Sequence, residues 1–307
     1  MLDYLPAPTA PATERVVRSV ALLERRGFAV SPARLASMCL GGAVSEPDVR
    51  WAAAAEGLEI VDGLVVTPSS VARASTISSR ARGHAAHAGA YIAMTQRFVR
   101  TLVSFAPFIR SVWIAGSLAT GGFRESDDVD LNLVVDDGHR HLAYVAVNVL
   151  GLAHAMAHRK KPVDDLTRRP VAPRLMTANL ILERSQLEPL ARTDEGMAFE
   201  LLVSEPVYGA DVFERIIAGN PALLEHFPQL ATKRAQNTVD VAPSRRLPRW
   251  LFPAFADGAA RGLGKAAWRY MQWTRRRHPE ALARVAFVRQ TMRPYTLFDD
   301  GGEEHAR

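Results

Sequence analysis

The sequence predicts a mixed α/β (α+β) fold: two layers around a mixed sheet, preceded by a helical module with a hairpin and followed by C-terminal helices. Three features predict it. Short helices with clear start signals precede an Asp-Gly turn, two apolar strands enclose a Gly-Ser pair and an Asp-rich turn, and amphipathic helical segments occupy the C-terminal part. We therefore expect three parts, at residues 1–70, 71–235 and 236–307.

Composition and charge restrict the class of protein. The 307 residues are enough for two domains, and 48% hydrophobic with 23% charged residues is a globular rather than a disordered composition. A net charge of +6 favours polyanionic partners such as nucleotides or nucleic acid without choosing among them. The single cysteine, Cys39, cannot form an internal disulfide, which fits a reducing cytosol.

Two stretches bear on membranes and targeting. The N-terminal residues lack the basic start and apolar core of a signal peptide. Residues 141–158 are apolar, but the stretch is short for a span and contains Asn148 and His154, so it predicts a buried helix. We expect a cytoplasmic protein without a membrane partner.

Residues 1–70 carry four local signals. A helical apolar face begins at Thr13 and stops at Gly27. Ser31 and Ser45 are N-cap residues, each with a proline in the first turn that follows. Asp62-Gly63 between short apolar runs predicts a hairpin, because both central residues of such a turn take positive φ.

Three helices followed by a hairpin resemble a winged helix. That resemblance implies DNA binding through the third helix, residues 46–56, but this helix offers one Arg, one Trp and a run of alanines. Base readout normally uses several Arg, Lys, Asn or Gln side chains. We therefore favour a docking or dimerising module and keep DNA binding as the alternative.

A long helical stretch follows, over residues 69–108, and leads to "SVWIAGS" at 111–117. This is a β-rich run that ends in the small residues Gly116 and Ser117. Small residues let backbone N–H groups approach a phosphate closely, and the start of a helix adds its positive dipole end. The turn after this strand is thus a candidate phosphate site.

A second strand, "DVDLNLVV" at 128–135, follows Ser117 after a spacer of ten residues. Side chains alternate along a strand, so Asp128 and Asp130 share a face about 6.5–7 Å apart, and Asp127 points away as a turn or capping residue. Two such carboxylates repel unless a cation lies between them, and Mg²⁺ prefers carboxylate oxygens together with substrate phosphates. The alternative is an Asp-rich turn that caps a helix or pairs with Arg124.

This combination of strand, Gly-Ser, helical turn and Asp-x-Asp resembles the DNA polymerase β-like nucleotidyltransferase superfamily, in its minimal type, over roughly residues 80–230. The resemblance implies that Gly116 and Ser117 hold the β- and γ-phosphates of a nucleoside triphosphate. Asp128 and Asp130 would bind Mg²⁺ as the catalytic carboxylates, and Arg124 would contact phosphate. An acceptor hydroxyl, on a small molecule, an RNA or a protein, would attack the α-phosphate and release pyrophosphate.

The sequence departs from this family at the third carboxylate. The strand expected to carry it, "RLMTANLILE" at 174–183, offers Asn179, with Glu183 about 13 Å further along the same face. Either Asn179 is a metal ligand and the base lies elsewhere, with Asp164 and Asp165 as substitutes, or activity is lost. The second hypothesis is thus a catalytically inactive nucleotide-sensing regulator that binds DNA or a partner protein through the winged helix.

Two basic regions remain. The run at 158–170 is rich in Lys and Arg and predicts a solvated loop, with phosphate or acceptor contact as the alternative. Residues 201–228 predict helix, turn, helix, and a proline-containing linker follows. Between 261 and 293, nine Lys/Arg face one acid in a predicted helical pair, with Trp268, Tyr270 and Trp273 interleaved. These aromatic residues suit base stacking or packing on the core, and we favour packing with a basic face left for an anionic acceptor.

Overall fold

The computed structural model describes residues 10–158, 161–162, 175–236, 238–275 and 283. The chain is mixed α/β, with a four-stranded mixed sheet and a two-stranded antiparallel sheet. The helices are α1 (Ala12–Arg25), α2 (Pro32–Ser37), α3 (Glu46–Ala55), α4 (Val71–Phe105), α5 (Gly116–Thr120), α6 (Arg140–Met156), α7 (Glu195–Val203), α8 (Ala210–Ala218), α9 (Ala222–His226) and α10 (Ala256–Arg275). The strands are β1 (Glu59–Val61), β2 (Leu64–Val66), β3 (Ile109–Ala115), β4 (Val129–Val135), β5 (Met176–Glu183) and β6 (Glu205–Tyr208).

The N-terminal elements form where the sequence predicts them. Ser31 caps α2 by accepting a hydrogen bond from the Arg34 amide. Ser45 caps α3, and Asp48 returns a hydrogen bond to the Ser45 amide, which completes a capping box. The β1–β2 hairpin turns through Asp62-Gly63, where φ is 52° and 78°. The predicted three helices and hairpin are therefore confirmed as elements.

Helix α4 joins these elements to the larger sheet. Its first half packs under the hairpin, where Ile77 joins a small cluster with Leu64 and Val66. Its second half lies on the four-stranded sheet and buries Phe98 and Leu102. One continuous helix thus contacts both the first 70 residues and the sheet.

The four strands run in the order β5-β4-β3-β6, with β4 and β5 parallel and the other neighbours antiparallel. Six of the seven residues of β3, and likewise of β4, are buried, so these strands are apolar on both faces. One face packs on α4 and α6. The other packs on α7, α8 and the N-terminal helices. Helices cover both faces, which adds a layer to the predicted two-layer arrangement.

Strand β6 was not predicted from the sequence, where residues 204–209 look like a turn between helices. Pro206 is the reason, since proline cannot donate to a strand ladder and occurs mainly on edge strands. In the structure β6 is such an edge strand, with Pro206 beside Trp113 of β3. The Val239 amide donates to the Val207 carbonyl oxygen at 2.7 Å, so the chain after β6 partly covers this edge.

The C-terminal extension packs against the sheet domain. Asp257 accepts hydrogen bonds from the His141 and Leu142 amides, 2.8 Å each, at the start of α6. Trp268 is half-buried against the core under α6, which agrees with the predicted packing, whereas Tyr270 and Trp273 are exposed. The second helix of the predicted pair lies outside the described residues apart from position 283.

Helix α6 corresponds to the apolar stretch at 141–158 and buries Tyr144 and Val147 against the core. The predicted helix is present, but it is buried on one face only, because Val149 is 60% and Leu152 is 54% exposed. Across the described ranges, none of the helices combines the length and the apolar character needed to cross a bilayer.

Candidate functional site

The Gly-Ser pair and Asp130 come together where β3 ends and β4 begins, at one end of the two central strands of the four-stranded sheet. Strand β3 ends at Ala115, directly beside Asp130 of β4. The chain then turns into α5 at Gly116, whose φ is +62°. The strand, turn and short helix predicted from "SVWIAGS" are therefore present, and they bring the Gly-Ser pair against the second strand.

Gly116 and Asp130 approach each other closely. A Cβ atom added to Gly116 would lie 2.1 Å from Asp130 Oδ2, far inside van der Waals contact. Glycine is thus required twice, for its positive φ and for the space that the carboxylate occupies. Because Gly116 has no side chain, the carboxylate of Asp130 can occupy the space next to the turn.

Asp127 fixes the loop between α5 and β4. Its Oδ2 accepts hydrogen bonds from Ser117 Oγ and from the Arg124 amide, 3.1 Å each. Asp127 is therefore a turn residue, as predicted. The Arg124 side chain is exposed, so its predicted phosphate contact stays a prediction.

The two predicted metal ligands differ in their surroundings. Asp128 precedes β4, is half-buried, and makes no hydrogen bond or ion pair within the described part of the chain. Asp130 lies inside β4, where its Oδ1 accepts a hydrogen bond from Thr177 Oγ1 at 3.2 Å. Asp128 is thus a carboxylate available to an incoming cation.

The pairing of β5 with β4 shows which β5 residue lies beside Asp130, where the third metal ligand is expected. Asp130 is paired with Thr177 and Leu131 with Ala178, and the register then shifts so that Asn132 is paired with Leu180. Asn179 is therefore two residues further along β5 than the neighbour of Asp130. Glu183 lies at the far end of the strand, where its Oε1 accepts from the Gly138 amide at 2.9 Å, so it cannot serve this site. Asp164 and Asp165 lie outside the described residues.

Lys161 brings a positive charge to the turn. Its Nζ donates to the Asp127 carbonyl oxygen at 2.6 Å. The sequence favoured a solvated loop for the basic run at 158–170, and most of that run lies outside the described residues. The position of this basic run directly after α6 was the one feature of the sequence that could have indicated a role for Lys161 near the turn.

A cleft of about 230 Å³ opens beside the end of α5. The N-terminal module, α4 and the Gly-Gly pair after α5 all line it. Phe28 and Ile77 contribute apolar surface, and Arg34 and Arg80 contribute positive charge. The cleft therefore suits a small molecule with an apolar part and an anionic group.

The donor set fits Mg²⁺ in one specific way. Within the residues described, no group of three His, Cys, Asp or Glu side chains is placed to hold a metal ion. Two aspartates are nevertheless sufficient where substrate phosphates complete the coordination, as Mg²⁺ sites commonly do. A cation at these two aspartates would therefore need further ligands from outside the described residues.

Glu200 lies behind the Gly-Ser turn and was missed in the sequence. It is 2% exposed, although it belongs to α7, whose sequence is otherwise apolar around it. Burial raises the pKa of its carboxyl group, and the Arg26 guanidinium, the Asn132 side chain and the Gly116 amide only partly oppose that rise. The signal was present in "MAFELLV", a single acid within an apolar helical run.

Comparison with known proteins gave no match. No protein-family model matches the chain. No curated protein and no solved structure matches it either.

The Gly116–Asp130 contact can be tested with a matched pair of variants. Both Gly116→Ala and Gly121→Ala force a side chain into positive φ, +62° and +100°, at a cost of roughly 1–2 kcal/mol. Only the first also meets a carboxylate, because nothing lies within 4 Å of a Cβ on Gly121. We expect calorimetric melting to show the larger loss for Gly116→Ala. Equal losses would contradict the contact.

Glu200 predicts a pH-dependent stability. A carboxyl group with a raised pKa in the folded state stabilises the fold at low pH, and this contribution is lost as pH rises above the ordinary value of 4.5. The melting temperature of the wild type should therefore fall relative to Glu200→Gln as pH increases. Thermal melts of both proteins from pH about 4.5 to about 8 measure this. A difference that does not change with pH would show that Glu200 titrates normally.

Proposed function

We propose that this chain is a Mg²⁺-dependent nucleotidyltransferase of the DNA polymerase β-like type. It would move a nucleoside monophosphate from a nucleoside triphosphate to an acceptor hydroxyl and release pyrophosphate. The observation that carries the proposal is the packing of the Gly116 turn against Asp130, two residues from Asp128, which has no partner among the described residues. This arrangement combines a backbone turn suited to phosphate with two carboxylates suited to a cation.

Each residue has a role in this proposal. Ser117 and the α5 amides that follow Gly116 would face the phosphates, and Lys161 and Arg124 would supply positive charge near the departing pyrophosphate. Asp128 and Asp130 would hold Mg²⁺, which when bound offsets charge on the phosphates. We assign the acceptor to the cleft beside the end of α5, which Thr120 and Gly121 help to line.

The proton of the acceptor hydroxyl needs a base. Thr177 occupies the place beside Asp130 on β5, and a threonine hydroxyl cannot accept a proton at neutral pH. Asp128 is the site carboxylate without a described partner, so it is the group we assign to proton transfer. Asp128 would then both bind Mg²⁺ and accept the proton of the acceptor hydroxyl. Because one carboxylate serves both roles, we expect slow turnover.

The pairing of Asp130 with Thr177 also supports a second function. With Thr177 instead of an acid beside Asp130, the site could bind a nucleotide without transferring it. The chain would then be a nucleotide-sensing regulator. Trp51 on α3 is 67% exposed and suits a protein partner, whereas Arg50 is paired with Glu46 at 2.6 Å and is less available to DNA.

Charge removal at the two aspartates tests the first proposal. Asp128→Asn and Asp130→Asn are each expected to lower Mg²⁺-dependent pyrophosphate release at least about 100-fold, because each removes a ligand that offsets phosphate charge. Pyrophosphate is measured with each of the four ribonucleoside triphosphates and a mixed panel of acceptors. Asp211→Asn is the control, since Asp211 lies on α8 and is 78% exposed. Unchanged release in both site variants would contradict the proposal.

The third ligand position is tested on β5. Thr177→Asp adds a carboxylate beside Asp130, so we expect it to tighten Mg²⁺ binding about tenfold in the presence of a non-hydrolysable triphosphate. Asn179→Asp is expected to change that affinity less, because Asn179 lies two residues beyond Thr177, at the register shift of β5. Calorimetric titration of Mg²⁺ compares the two variants with the wild type. A larger gain for Asn179→Asp would place Asn179 at the third position, as the sequence suggested.

A further inference from the structure

Glu200 is a buried carboxyl group with unsatisfied oxygens. Neither Oε1 nor Oε2 has a hydrogen-bond partner of regular geometry among the residues that the structure describes. Burying a polar group without such bonds is costly, and native proteins rarely leave one in this state. A residue of this kind in the middle of an apolar helix therefore calls for a functional explanation.

Its neighbours are the two elements that build the candidate site. Asn132 lies two residues after Asp130 on β4 and is 1% exposed, and its Oδ1 also lacks a partner among the described residues. The Asn132 side chain and the Gly116 amide, the first N–H of α5, both lower the pKa of the Glu200 carboxyl group, so both groups are its neighbours. A neutral carboxyl group can donate one hydrogen bond and accept others, so Glu200 can donate to Asn132 Oδ1 and accept from the Gly116 amide.

The third neighbour comes from the N-terminal module. Arg26 follows α1, and its guanidinium lies 4.9 Å from the centre of the Phe199 ring. It donates to the Gly196 carbonyl oxygen at 3.2 Å, one turn before Glu200 on α7. Burial lowers the pKa of Arg26, and Glu200 is the acid that opposes this most strongly. The charge beside Glu200 is thus supplied from outside the sheet domain.

We propose that Glu200 is a positioning residue for the candidate site: it holds Gly116 and Asn132 in place from the buried side of the sheet, and Arg26 links this support to the docked N-terminal module. Turning the Gly116 amide toward the core leaves the amides from Ser117 onward for a phosphate. The effect on nucleotide binding rests on the proposed function, whereas the contact itself does not.

Two independent readouts test the proposal. The first is the backbone amide resonance of Gly116 and the side-chain amide resonance of Asn132 in ¹⁵N-labelled protein without ligand. The second is the affinity for a non-hydrolysable nucleoside triphosphate with Mg²⁺, measured by calorimetry. We expect Glu200→Leu to shift both resonances and to weaken nucleotide binding about tenfold, as the loss of a supporting residue typically does. Glu200→Gln, which keeps a donor and an acceptor, should retain affinity within about twofold.

Glu195→Gln is the matched control. Glu195 begins the same helix and pairs with Arg18 at 3.0 Å and Arg25 at 3.5 Å, so it belongs to the same α1–α7 interface without facing Gly116 or Asn132. Its variant should leave both resonances in place.

The possible results distinguish the positioning role of Glu200 from the proposed nucleotidyltransferase function. Unmoved Gly116 and Asn132 resonances in both Glu200 variants would overturn the positioning role. If Glu200→Leu does not fold, Glu200→Gln decides alone, because exchanging a carboxyl for an amide must shift the Gly116 resonance if the two groups are in contact. A wild type that binds no nucleotide would end the proposed function, while the resonances would still decide the role of Glu200.

Discussion

The close approach of Gly116 to Asp130 is the constraint on which the candidate site depends. It requires that β3 ends opposite Asp130, that the chain turns immediately with positive φ, and that no side chain stands at the turn. Each requirement restricts a different level of the structure: strand register, backbone conformation and packing. A shift of one residue in the register of β3 and β4 would reverse the faces of the strand and remove the contact.

The core on one face of the sheet extends well beyond the sheet itself. A single hydrophobic cluster includes Val16 and Leu23 of α1, Phe199 of α7 and Trp113 of β3. Arg18 and Arg25 of α1 both pair with Glu195 at the start of α7. The first 70 residues therefore share apolar packing with the sheet domain, and the support beneath Gly116 is built from both.

Local signals in the sequence predicted most elements, and long-range relations explain what was missed. Caps at Ser31 and Ser45 and the Asp62-Gly63 turn are determined by neighbouring residues, so they could be read directly. Alternation along a strand predicts that Asp128 and Asp130 share a face but does not reveal a shift in register, so the sequence could not show that Thr177 is the residue paired with Asp130. The surroundings of Glu200 depend on residues far away in the chain, and no local pattern encodes them.

Helix α4 has a mechanical consequence. Its 35 residues form a helix about 52 Å long, which packs against the hairpin at one end and against the four-stranded sheet at the other. Because α1 also packs against α7, the N-terminal module is attached to the sheet domain at two separate places. Separating the module from the sheet would therefore break two sets of contacts at once, so the two parts are expected to unfold in one transition.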